Sequence, residues 1–92
     1  MAQGLAVPRV DAVSVPPVPL LDLAPGTVAV LRQVTDRHSR AVLRSLGLTD
    51  GARLRVCRVG DPCIIQVRAT RIGLSRTVAE AVYVLVEEEV PA

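Results

Sequence analysis

Three side chains in this sequence have the chemistry to hold a transition metal: His38, Cys57 and Cys63. A structural zinc site wants four nitrogen or sulfur ligands, commonly with paired cysteines two to four residues apart. Cys57 and Cys63 are instead separated by five residues across a predicted hairpin. With Gly60-Asp61 as a two-residue turn, Arg58 would face Cys63 and Cys57 would face Ile64. The thiols then lie diagonally, on different faces of the pleat. Nothing in the sequence brings His38 beside either of them. The first reading is two ordinary half-buried thiols and a solvated histidine, with no metal site. A small iron or zinc sensor or carrier using Cys57, Cys63 and His38 stands as the alternative.

Other catalytic chemistry has less to work with. A nucleophile needs a base within reach and a third group to orient that base, and the chain has one histidine. The glycines stand singly at turn positions, so no phosphate-cradling loop is present. The one carboxylate cluster, Glu87-Glu88-Glu89, is a run at the end of the last predicted strand, which reads as a solubilising terminus. The chain is therefore expected to be non-enzymatic, with no catalytic residues and no cofactor.

Arginine is the residue type with a pattern. All 11 Lys-plus-Arg positions are Arg, and the formal net charge is +2. Arg37, Arg40 and Arg44 recur at helical spacing on one face of a predicted helix. Arg53 and Arg55 alternate outward from the strand that follows. The planar guanidinium fork suits carboxylate and phosphate partners. These five residues are the candidate partner-binding set, for an acidic protein patch or a membrane-proximal partner. Nucleic acid is not expected, because the charge excess is small and Tyr83 is the only aromatic available for base stacking.

The elements that carry these residues follow from periodicity. Residues 1–19 contain Pro8, Pro16, Pro17 and Pro19 and read as a flexible tail. The ordered domain is expected over residues 20–89. Pro25-Gly26 marks a turn, and Thr27 to Val34 reads as a β-branched strand. Asp36 is a predicted N-cap for a helix over Arg37 to Leu46, with Val42, Leu43 and Leu46 inward and Gly47 ending it. Thr49-Asp50-Gly51 turns into Arg53-Leu54-Arg55-Val56, which alternates strictly. Cys63 to Arg68 returns, and Arg71 to Leu74 adds a short strand in which Gly73 permits a bend or close approach. Ser75 caps a brief helical turn over Arg76 to Ala81, and Val82 to Val86 is the last strand. Gly26, Gly47, Gly51, Gly60 and Gly73 are the expected structural turns.

Five short strands and one confident helix, in 92 residues with an aliphatic composition, predict a mainly β domain that rolls into a small five-stranded barrel. Such a barrel is filled by its own side chains. No secretory signal pattern or bilayer-length apolar run is visible, so a cytoplasmic chain without membrane insertion is expected. Weak self-association is left open.

One stretch is more specific than the rest: Leu43-Arg44-Ser45-Leu46-Gly47-Leu48-Thr49-Asp50-Gly51, running on to Val56. It resembles the FeoA family, whose domains carry an L-x-x-L-G-L-x-x-G run followed by a valine. Leu21-x-Leu23-x-Pro25-Gly26 upstream, and Gly60-Asp61-Pro62 and Arg71-Ile72-Gly73-Leu74-Ser75 downstream, are similar to the family in order and spacing. The resemblance covers about residues 20–88. It implies an SH3-like barrel and an accessory role in ferrous iron uptake, acting on the cytoplasmic part of the membrane transporter FeoB. It implies nothing for the proline-rich tail.

Overall fold

Short β-branched segments that alternate inward and outward must bury one face, and this chain does so by rolling a single sheet. A computed structural model describes residues 16–87. In chain order the elements are β1 (Val18–Pro19), a 3-10 turn (Leu20–Asp22), β2 (Val28–Val34), α1 (Arg37–Ser45), β3 (Arg53–Arg58), β4 (Cys63–Val67), β5 (Thr70–Leu74), α2 (Arg76–Glu80) and β6 (Val82–Val86). The strands form one antiparallel sheet in the order β1-β6-β2-β3-β4-β5.

This differs from a five-stranded closed barrel in two respects. Val18 and Pro19 form a sixth strand, pairing with Val84 and Tyr83 of β6. The ordered part thus begins before Leu20, and the rest of the expected tail, residues 1–15, lies outside the described residues. The hydrogen-bonded ladder also stays open, ending at β1 and β5. Closure is made by side chains. In a flat sheet β5 and β6 would stand four strand spacings apart, about 19 Å. Yet Leu74 of β5 and Val82 of β6 line one void with Leu20, Leu31, Leu54 and Ile65. That void is about 10 Å³ and wholly apolar, at the lower limit for one water. The interior is a packed aliphatic core, and it also takes Val56, Cys63 and Val84.

α1 starts and stops as its sequence dictates. The Asp36 carboxylate accepts from both the backbone N–H and the hydroxyl of Ser39, each at 2.8 Å. Those bonds hold the Asp36 carboxyl below its ordinary range, the backbone bond most strongly. They also explain why Ser39 can be fully buried without an unsatisfied hydroxyl. The inner stripe is Ser39, Val42 and Leu43. Leu46, expected inward, lies past the last helical turn and is 43% exposed.

Gly47 has φ +87. Its N–H donates to Arg44 and the Leu48 N–H to Leu43, at 3.0 and 2.9 Å, the paired bonds of a Schellman cap. Gly26 and Gly51 also have positive φ, whereas Gly60 and Gly73 do not. A Cβ on Gly73 would meet only ordinary contacts, so the close approach expected there is not present. Gly47→Ala is expected to lower stability by about 1 kcal/mol through backbone strain alone, because open space surrounds its Cβ position. Gly60→Ala should fall within about 0.5 kcal/mol of the parent. Urea midpoints of the two variants decide it.

The β3–β4 hairpin is longer than predicted. Residues 59–62 form the loop, and a bulge puts Arg58 opposite Ile64 after Val56 opposite Ile65. The expected pairings of Arg58 with Cys63 and of Cys57 with Ile64 are thereby corrected. Pro62 has no N–H to give the ladder, so the return strand starts at Cys63, where the sequence places it, and Cys57 is the extra residue on the bulged strand. A second bulge lies in β2. Leu31 pairs with Val84 and Gln33 with Tyr83, leaving Arg32 without a partner. As a result Ala29, Leu31 and Val34 are buried, while Arg32 and Gln33 both face solvent.

Candidate functional site

The five predicted arginines do not form one surface. Arg40 and Arg44 lie one helical turn apart on α1 and line a groove with Arg32, Thr49 and Asp50. Arg53 and Arg55 project outward from β3 into a different groove, with Arg68, Leu46 and Ile72. Arg37 begins the same helical row as Arg40 and Arg44, yet lines neither groove. Arg32 was missed by sequence reasoning. Its signal was the polar pair Arg32-Gln33, which interrupts an otherwise apolar strand.

The two grooves differ in how their arginines are held. Arg40 donates from Nη2 to the carbonyl of Val34 at 2.8 Å, which ties α1 to the end of β2 and fixes the side chain. Arg53 donates to Glu87 at 2.8 Å in an exposed ion pair. Such a pair contributes about 0–1 kcal/mol, but it gives Arg53 a carboxylate of its own. The other ion pair among the described residues is Arg76–Glu80. Arg32, Arg40 and Arg44 have no carboxylate within 4.0 Å there.

The three metal candidates do not come together as one ligand group among the described residues. Cys63 is fully buried in the core, Cys57 is half-buried at the bulge of β3, and both are free thiols. His38 is exposed in the first turn of α1. Among the described residues no group of three or more His, Cys, Asp or Glu could hold a metal ion. Burial pushes the Cys63 thiol above its ordinary value, and nearby Cys57 adds to the shift. A thiol held protonated in the core is neither a nucleophile nor a ready ligand. In the native protein a maleimide should modify Cys57, while Cys63 should react slower by a factor on the order of a hundred or more. Mass spectrometry of a labelling time course reads both sites.

A rolled sheet of short antiparallel strands, a filled aliphatic interior and an outer surface grooved between α1, β2 and β3 define a small SH3-like domain. Residues 18–86 match the model of the FeoA domain. The chain belongs to the FeoA family. A crystal structure of an iron uptake regulatory protein, FeoA, is 30% identical with a TM-score of 0.70, over 79% of this chain and all of that one. FeoA of Stenotrophomonas maltophilia, complexed with zinc, is 33% identical with a TM-score of 0.60, over 71% of this chain and 86% of that one. It is described as an SH3 domain protein suggested to act as a ferrous iron transport activating factor. The fold also occurs in T. acidophilum IdeR, at 23% identity and a TM-score of 0.73, where it spans 79% of this chain and 35% of that one. No curated protein matches the chain in sequence.

Proposed function

We propose that this chain is a non-enzymatic, cytoplasmic accessory protein of ferrous iron uptake, which binds the cytoplasmic part of a FeoB-like membrane transporter and modulates it. The observation that carries this reading is the family match across residues 18–86. The packing supports it. The central void is too small for a substrate, so the working surface is the outside of the rolled sheet, where the arginines lie. No helix among the described residues is long and apolar enough to cross a membrane, which fits a protein that works on a transporter from one side.

The test is a pull-down with the tagged chain from detergent-solubilised membranes that contain the transporter. Co-purification of the transporter at stoichiometric yield is the expected result. Its absence, with the chain folded by circular dichroism, overturns the reading. Calorimetry with ferrous iron and with zinc is expected to give no stoichiometric heat. A heat lost in Cys57→Ser would replace the docking reading with a metal carrier.

A further inference from the structure

We infer that the groove between α1 and the bulge of β2 is a docking site for an acidic segment of a protein partner, gripped by Arg32, Arg40 and Arg44. This rests on the docking reading above and adds to it one face of the domain and the chemistry of what binds there. The groove draws its charge from two elements. The bulge leaves Arg32 without a ladder partner and exposed beside Gln33. Arg40 and Arg44 are four residues apart on α1, which sets them about 6 Å apart along its axis. Both line the groove with Arg32.

The groove is prepared for carboxylates. Arg40 is already fixed by its bond to the Val34 carbonyl, so less side-chain freedom is lost when a partner binds. A guanidinium has five N–H donors, and one bond to Val34 leaves the others free. None of the three arginines has a carboxylate within 4.0 Å among the described residues, although Asp50 lines the same groove.

The surroundings disfavour phosphate and nucleic acid. Dedicated phosphate-binding loops add free backbone N–H groups to such side chains. In this groove the Leu48 N–H already donates to the Leu43 carbonyl at 2.9 Å. Tyr83, the only aromatic, is on β6 and not in the groove, so bases have nothing to stack on. A peptide with carboxylates about 6 Å apart fits the Arg40–Arg44 spacing, at i and i+4 on a helix or at i and i+2 on a strand.

The experiment is an NMR titration of the isotope-labelled full chain with hexaglutamate at low salt, where weak electrostatic binding is readable. Shifts are expected at Arg32 to Val34, Arg40 to Arg44, Thr49 and Asp50. Arg40→Gln with Arg44→Gln should weaken binding about tenfold or more. Asp50→Asn should tighten it about twofold, and Arg53→Gln should leave it unchanged. Shifts spread over both grooves, or an equal loss in Arg53→Gln, overturn the site. So does a short oligothymidylate that binds the same groove more tightly than hexaglutamate. The transporter reading is separable from this one. If the groove binds hexaglutamate while the chain ignores the transporter, the acidic-segment site stands and the transporter reading falls. If the double variant still captures the transporter at full yield, the transporter reading stands and this site falls.

Discussion

Leu43→Ala is expected to lower folding stability by about 3 kcal/mol, the middle of the range for a buried leucine truncated in a packed core. Leu43 is 2% exposed and lines the central void with Leu20, Leu48, Leu74 and Val82. Truncation would merge the lost side-chain volume with that void, in a wall made from both ends of the sheet. Its carbonyl also receives the Leu48 N–H that closes the helix, so a helix cap and the core meet at one residue. Small domains are stable by only about 5–15 kcal/mol in total, and a loss of this size takes a large share. Leu46→Ala is the matched control. It removes the same atoms one helical turn later, at a position 43% exposed, and should change stability by no more than about 0.5 kcal/mol. Urea melts of both variants with equal slopes provide the comparison. Similar midpoints for the two would mean that Leu43 does not hold the seam as described.

Arg40→Glu combined with Arg44→Glu is expected to abolish capture of the transporter, a loss on the order of a hundredfold or more at low salt. The exchange moves the groove by four charge units and places carboxylates where guanidinium donors stood. Arg40→Glu also removes the bond to the Val34 carbonyl, worth about 1 kcal/mol, so the melting curve must be measured alongside. Arg53→Glu should weaken capture far less, because Arg53 is already paired with Glu87 and belongs to the other groove. The wild-type complex should weaken as salt rises, since exposed charges are screened over about 10 Å at 0.1 M. Equal loss in Arg53→Glu and in the double variant would mean that general positive charge, and not this groove, attracts the partner.

Much of the fold was legible where a local rule decides it. Asp36 and Gly47 bound α1, Ser75 caps α2 through the Val78 N–H, and the last strand was readable as Val82 to Val86. In each case a side chain or a backbone preference acts within four residues. What escaped depends on partners distant in sequence. β1 is two residues inside a proline-rich stretch, and it exists because β6 offers it an edge. Both bulges are relations between strands, so neither the missing ladder partner of Arg32 nor the Cys57 register was visible in one strand alone. The candidate site divides along the same line. Arg40 and Arg44 followed from helical spacing, while Arg32 and the Arg53–Glu87 pair depended on how strands and termini meet.

Where Leu74 of β5 and Val82 of β6 meet the central void the roll is lined by aliphatic side chains, with no main-chain ladder between the two strands, and this gives the domain a line of weakness. Separating the two strands breaks no main-chain bond between them and exposes only aliphatic surface. Local opening is expected to start here, as a hinge-like parting of the roll. The outward amides of Thr70–Leu74 face no neighbouring strand and should exchange with solvent deuterium well before those of β2, which is flanked on both sides.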